Sequence, residues 1–280
     1  MRVFSASLLL SLSFLFAQEN NSSGVPCGKE PLDVHAIREK ADAGDPEAQY
    51  TLGMHYAFGL QNDQHLTESV YWFRKSAEQG YAEAEYRLGQ AYGSGRGVRD
   101  DSKAAWHWYR KAAHDGAVTA QLWVGMMYEG GRVVKQNKDE ALKWYFRAAK
   151  KGNPDAQVSV GQAYEEGDGV PQDYVQAAAW YRKAAEHVPD YGGAGQGRNS
   201  LALLYLDGRG VPQDYVEAYK WFALSAVTSN MDEAAKRMTQ DQIAEAQRRA
   251  KTWTKEHPVP ISTCLSAVSN SPIPNYRVAH

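Results

Sequence analysis

The fold this sequence predicts is all-α: an α/α superhelical solenoid of about five helix–turn–helix repeats, closed by helical caps. Three observations predict it. Tryptophans stand at positions 72, 108, 144, 180 and 221, tyrosines at 56, 92, 128, 164 and 205, and glycines at 59, 95, 131, 167 and 208; each series steps by 36, 36, 36 and 41. The string GVPQDYV occurs at 169–175 and returns at 210–216, in the same register. Within each period the apolar and small residues recur at helical spacing. Self-similarity at a fixed period of some tens of residues is the mark of a repeat architecture.

The elements follow in chain order. Residues 1–17 read as an export signal: Arg2 gives a positive start, Val3 to Phe16 form an apolar run, and Ala17 suits cleavage, although Leu15 stands where a smaller residue is usual. The run is too short to span a bilayer. No second one follows, so no stable membrane insertion is expected once the signal is removed. Residues 18–29 are expected to be a flexible segment. The repeat solenoid is assigned to 30–256.

The stretch PLDVHAIREKADAG, from 31, has the pattern of a repeat's second helix and forms the first cap. Repeats follow at about 44–79, 80–115, 116–151, 152–187 and 193–228. Repeat four shows the logic. Pro154 opens a helix where a missing N–H costs nothing. Ala156, Val160, Gly161 and Tyr164 share one face. Gly167 and Gly169 stop the helix, Pro171 sets the exit, and Asp173 caps a second helix that carries Ala177, Trp180, Tyr181 and Ala184 on one stripe. Asp214 with Glu217, and Asn137 with Glu140, have capping-box spacing. In GVPQDY the glycine, proline and aspartate therefore punctuate; Asp173 and Asp214 fit caps better than catalytic acids. A single repeat buries too little to offset the entropy of ordering its own backbone, so neighbours must stack.

Two places break the pattern. Repeat one has GLQNDQH where the others have a glycine-rich turn. Residues 188–199, VPDYGGAGQGRN, precede repeat five and read as a linker or loop, without the Gly-Lys-Ser/Thr of a phosphate loop. Cap helices are expected across 231–256, with Thr239 and Gln242 at capping-box spacing. The tail, 257–280, with four prolines, is expected to be extended or disordered.

The stretch from 84 to 116 resembles a Sel1-like repeat, through Ala84, Leu88, Gly89, Tyr92, Gly95, Gly97, Val98, Ala105, Trp108, Tyr109, Ala112 and Ala113. The resemblance extends over about residues 30–256. Repeat one departs from it at its turn, and repeat five has Ala202 in place of the Leu-Gly glycine. It implies a tetratricopeptide-like solenoid of the exported bacterial type that binds other proteins in envelope processes, signalling or host contact.

Composition narrows the chemistry. With 31 basic and 33 acidic side chains the net charge is −2, so there is no electrostatic footprint of a nucleic-acid binder. No HExxH, CxxC, Ser-x-x-Lys or Lys-Thr-Gly occurs. No catalytic, cofactor or metal residue is assigned, and the expectation is a non-enzymatic protein. The alternative is a cell-wall-active hydrolase or β-lactamase-like protein, which family labelling alone supports. Cys27 and Cys264 flank the repeats, and pairing between them stays open.

The resemblance also implies a concave groove lined by the first helix of each repeat. Transferred through Leu-Gly-x-x-Tyr, its positions are Glu47, Tyr50, Met54 and Phe58; Glu83, Tyr86 and Gln90; Leu122, Met126 and Glu129; Asp155, Val158, Gln162, Glu165 and Glu166; and Gln196, Asn199, Leu203 and Asp207. Seven are acidic and none is Lys or Arg. The expected partner is a protein or peptide segment with basic residues, bound by an exported scaffold, periplasmic or secreted.

Overall fold

The computed structural model describes residues 33–58, 63–188, 192–225 and 228–258. The export signal, the segment 18–29, Cys27, Cys264 and the tail from 259 lie outside these residues, as does most of the divergent turn of repeat one.

Thirteen helices and no strand occur among the described residues. They are α1 (Val34–Asp42), α2 (Pro46–Phe58), α3 (Asp63–Glu78), α4 (Ala82–Ser94), α5 (Ser102–Asp115), α6 (Val118–Gly130), α7 (Lys138–Lys150), α8 (Pro154–Glu166), α9 (Tyr174–Ala185), α10 (Gly193–Asp207), α11 (Tyr215–Ser225), α12 (Thr228–Ala235) and α13 (Gln240–Glu256). Each helix from α1 to α11 packs on the next, and α13 returns onto α11. The pairs α2/α3, α4/α5, α6/α7, α8/α9 and α10/α11 are the five repeats. This is the solenoid that the spacing predicts.

The turn chemistry works as read. Asp101, Asn137, Asp173 and Asp214 occupy one repeat position, and each caps a second helix; Asp173 Oδ1 accepts from the N–H groups of Val175 and Gln176 at 2.9 and 3.0 Å. Two of the three predicted capping boxes, Asp214/Glu217 and Asn137/Glu140, are only half formed. Glu217 turns instead to Lys220 and Arg249, and Glu140 to Lys143. Thr239 and Gln242 complete theirs in both directions.

The Leu-Gly glycine has a packing reason. A Cβ on Gly53, Gly89, Gly125 or Gly161 would stand 2.5–2.9 Å from the ring of Phe73, Tyr109, Tyr145 or Tyr181 in the partner helix. The missing side chain lets an aromatic lie flush on the backbone of the first helix. In repeat five Ala202 takes the glycine's place opposite Phe222, and both are fully buried.

The insertion before repeat five is corrected by the structure. Residues 193–199 are not a loop: they form the first turns of α10. Their glycines permit close contact, since a Cβ on Gly193 would fall 2.6 Å from the Pro154 carbonyl oxygen, and one on Gly197 2.6 Å from Ala184 Cβ. The apparent linker is a helix start pressed against α8 and α9.

A further column explains how repeats join. Gln49, Gln121 and Gln157 are buried, and each donates its side-chain amide to the last turn of the preceding helix, at Ala41, Ala113 and Ala149 O respectively (3.0–3.2 Å). Repeat five puts Arg198 there, which donates to Ala185, Leu224 and His187 O and lies 4.9 Å from the Trp253 ring. Repeat two puts Glu85 there, fully buried and paired with Lys111. Burial pushes the Glu85 carboxyl above its ordinary value, against the opposing pull of Lys111.

Candidate functional site

The first helices carry the predicted groove positions, but four of those side chains are core. Met54, Tyr86, Leu122 and Val158 are buried, at 8, 5, 4 and 3% exposure, and pack among the alanines and aromatics of their own and neighbouring repeats. Sequence spacing alone could not separate an open groove position from one shut by the next repeat. Asn199 accepts from Asn230 and Leu203 packs in the C-terminal core, so repeat five's share of the groove is largely closed by the cap. Glu47 and Glu83 are exposed, near the half-buried Tyr81, whose phenol is pushed up by burial and then by these two carboxylates.

What remains open is a set of equivalent notches, one between each pair of successive repeats. In each, two helices of one repeat meet the first helix of the next. Two are cavities. The first, of about 80 Å³, is lined by Ala57, Leu66, Ser69, Val70, Phe73, Arg87, Gln90, Ala91, Ser94 and Arg96, with Phe58 at its lip. The third, of about 560 Å³, contains Glu129, Lys138, Ala141, Leu142, Tyr145, Ser159, Gln162, Ala163, Glu166 and Asp168, which are the first ten positions moved by 72 residues, two repeats. Leu122, Met126, Asp155, Val158 and Gln196 extend it. The structure thus brings together eight of the predicted groove residues in one cavity, those of repeats three and four except Glu165, with Gln196.

The two cavities share a shape and differ in charge. Positions held by Ala57, Ser94 and Arg96 in the first become Glu129, Glu166 and Asp168 in the third. In the third, Tyr145 donates to Glu129 Oε2 at 2.6 Å, and burial followed by that carboxylate pushes the Tyr145 phenol far above its usual range. Lys138 pairs with Asp168 at 2.5 Å. Four carboxylates against one ammonium leave the third notch acidic. Among its described lining residues the first has two guanidiniums and no carboxylate. Arg87 donates to Gln90 Oε1 at 2.9 Å and lies 5.6 Å from the Tyr86 ring centre, and Arg96 is exposed at the rim.

The other two notches are occupied by their own side chains. Between repeats two and three, Trp123 stands where the first notch has Arg87 and the third Ser159. It stacks on Tyr109, centroids 5.8 Å apart and planes at 5°, and donates its indole N–H to Tyr86 at 3.1 Å. Between repeats four and five, Arg209 bridges Glu165 (3.2 Å) and Asp207 (3.0 Å) and covers the Tyr174 ring. Two of the seven predicted groove carboxylates therefore already share one internal cation. Sequence reasoning missed Arg87, Arg96, Lys138, Asp168 and Arg209, which lie off the first-helix face that the tetratricopeptide analogy supplies. Reading down the fixed repeat columns, 96 to 132 to 168 to 209, would have found the charge changes.

Among the described residues no group of three or more His, Cys, Asp and Glu could hold a metal ion, and no helix is long and apolar enough to cross a membrane. The arrangement is suited to recognition of a segment by shape and charge.

The Sel1 repeat profile matches residues 46–81, 82–116, 118–153, 154–187 and 196–226. Among solved structures, the chain is similar to c5321, described as a protective antigen of uropathogenic Escherichia coli strains displaying an SLR fold: 30% identity over 88% of this chain and 53% of that one, TM-score 0.71. It is also similar to a Sel1 repeat protein from Oxalobacter formigenes, with 25% identity over 80% of this chain and 98% of that one, TM-score 0.63. The chain spans about half the length of c5321. Comparison with curated proteins found no match.

Proposed function

The chain belongs to the Sel1 repeat family, and from that premise we propose that it is an exported scaffold that holds a partner protein through a segment bearing Lys or Arg. Sel1 repeat proteins generally act as protein-interaction scaffolds and are typically not enzymes. The observation that carries the finer reading is the third notch: a cavity of about 560 Å³ with Leu122, Met126 and Val158 in its lining and Glu129, Asp155, Glu166 and Asp168 around them. An apolar floor with a charged rim fixes a side chain by burial and selects its head by sign. Among the described lining residues Lys138 supplies the competing cation, held by Asp168 at the surface. Exposed pairs of this kind contribute little, roughly 0–1 kcal/mol, so an incoming base displaces it cheaply.

Export rests on Arg2 and the apolar run Val3–Phe16, and an envelope or host-contact role fits the description of c5321 as a protective antigen. Fractionation of expressing cells tests it; full-length protein retained in the cytoplasm with its first 17 residues uncleaved counts against export.

The binding reading is tested by selecting random 12-residue peptides displayed on phage against the purified chain. Selected peptides are expected to be enriched in Lys and Arg. Selection against a Glu129→Gln/Glu166→Gln/Asp168→Asn variant of unchanged circular dichroism is expected to lose that enrichment. Equal enrichment on both proteins defeats the reading.

A further inference from the structure

The third and fourth notches repeat one arrangement and differ in who supplies the cation. In the third, Tyr145 donates to Glu129 Oε2 at 2.6 Å; in the fourth, Tyr181 donates to Glu165 Oε2 at 2.7 Å. Glu165 is the Glu129 position moved by 36 residues, and Asp207 and Arg209 are the positions of Glu166 and Asp168 moved by 41. In both notches burial, then the carboxylate, pushes the phenol above its usual range. The proton therefore stays on the tyrosine, and the glutamate stays an acceptor with its Oε1 turned to a second donor. The fourth notch shows that donor. Arg209 gives Nη1 to Glu165 Oε1 at 3.2 Å, and its Nη2 stands 3.0 Å from Asp207 Oδ2. One planar guanidinium thus spans carboxylates from two successive repeats. In the third notch Asp168 holds the arginine's position, so the equivalent carboxylates, Glu129 and Glu166, are there without it. Both are exposed, and neither forms an ion pair with a described residue.

We propose that the third notch takes an arginine of the partner, seated between Glu129 and Glu166 as Arg209 is seated between Glu165 and Asp207. This rests on the scaffold reading above and narrows its basic residue to one. Three carboxylates alone would be no more than a charged patch. What makes these a seat is that the equivalent pair, one repeat further on, holds a guanidinium. The cavity of about 560 Å³ gives it room, and Met126, Ala141 and Leu142 in the lining cover the methylenes of its stem.

Charge and shape both favour arginine over lysine. At the turn end of the third notch Glu129, Glu166 and Asp168 outnumber the single ammonium of Lys138 by two; in the fourth, Glu165 and Asp207 outnumber Arg209 by one. An arriving arginine brings the third to the balance of the fourth. A lysine would bring the same charge but as a compact point. Lys138 already fills that role, turned to Asp168 at 2.5 Å. A guanidinium presents donors on two sides of a rigid plane and bridges two carboxylates at once. Lys138 also stands where the fourth notch has Tyr174, whose ring Arg209 covers. Exchanging Lys138 and Asp168 for tyrosine and arginine therefore writes the fitting of the fourth notch into the third.

The phage-selected 12-residue peptides decide this. Selection on the wild type is expected to enrich arginine well above lysine. In fluorescence anisotropy, replacing the arginine of a selected peptide by lysine should weaken binding to the wild type about tenfold, although the charge is unchanged. The Lys138→Tyr/Asp168→Arg variant, which carries its own guanidinium, should bind the arginine peptide about tenfold more weakly and distinguish arginine from lysine less than about twofold. That loss of discrimination separates a filled seat from a mere change in net charge. A circular dichroism spectrum and melting temperature no worse than wild type exclude misfolding; if the double variant is less stable, Glu166→Gln at the exposed rim, measured with the same two peptides, takes its place. Equal enrichment of lysine and arginine, or lysine and arginine peptides bound alike by the wild type, overturns the arginine seat and leaves the scaffold reading standing. Discrimination that survives undiminished in the variant also overturns it, because the arginine is then held elsewhere. No enrichment of basic residues at all overturns both.

Discussion

The notch between repeats one and two and the notch between repeats three and four are built on one plan, and their described linings differ in charge. In both, an aromatic ring from the second helix lies on a glycine of the first: Phe73 on Gly53, Tyr145 on Gly125. In both, a glutamine from the next repeat, Gln90 or Gln162, stands in the lining. Around this frame Arg87 and Arg96 face Ser159 and Asp168, and Ala57 and Ser94 face Glu129 and Glu166. The shape is set by residues that repeat and the chemistry by residues that do not. A solenoid can thus alter what it binds at one station without repacking its neighbours, because each repeat touches only those beside it.

The comparison breaks first at the floor. If the two notches share a frame, Phe73→Ala and Tyr145→Ala should be equally costly, each about 3–5 kcal/mol for a buried aromatic. Tyr145→Phe should cost only about 1 kcal/mol, because it removes one hydrogen bond to the half-solvated Glu129 and leaves the ring in place. Guanidinium denaturation of the three variants measures this. A Phe73→Ala cost under about 1 kcal/mol would show that the first notch is not held by the packing that builds the third.

That frame was legible in the sequence and the fittings were only partly so. The regular recurrence of Trp, Tyr and Gly marks helix and turn, and the Asp or Asn in register with them marks the cap in repeats two to five, because those residues answer to backbone geometry, which is the same each time. The groove was harder. Tyr86, Leu122 and Val158 occupy the face that spacing assigns to solvent, yet each is covered by an adjoining repeat, and coverage depends on the pitch between repeats, which no single helix encodes. Arg209 shows the same limit: it neutralises Glu165, 44 residues earlier in the chain, and cancels charge that a one-helix reading counts as available. The glycines of 192–197 misled for a related reason. They read as flexibility, while Gly193 and Gly197 serve close packing against α8 and α9.

A second test sharpens why the second notch is closed. Trp123→Ser places in the second notch the residue that the third notch has at Ser159. It gives up the stacking on Tyr109 and the hydrogen bond to Tyr86. Because Trp123 is half-buried, the cost should be about 2 kcal/mol, below that of a fully buried aromatic. Millimolar indole is expected to recover part of the lost melting temperature in the variant and none in the wild type, as a ligand that binds only the folded state must. Loss of stability without any recovery would mean that the notch collapses when the plug is removed, and that its openness elsewhere needs more than a small side chain.

The smallest expected effect concerns the joint beneath each notch. Under the third, Gln157 donates to Ala149 O; under the first, the same position is Glu85, a buried carboxylate with Lys111 beside it and one oxygen without a partner. An ionised carboxylate has no proton to give to a carbonyl, so it cannot make the bond the glutamines make. Burial raises its folded-state value above the ordinary 4.5. The folded protein then holds the proton more tightly than the unfolded chain does. This contribution to stability is fully present below the ordinary carboxylate range and is lost as pH rises through the raised value. Glu85→Gln supplies the neutral form permanently and forfeits the ion pair with Lys111. Buried pairs often cost more in desolvation than they return, so the variant should be about 1 kcal/mol more stable than wild type at neutral pH, with the difference shrinking as pH falls towards 4.5. Calorimetric melting temperatures across that range read both the sign and the slope. A variant less stable at neutral pH would show that Lys111 more than repays the burial of Glu85, and that the two joints differ in chemistry without differing in strength.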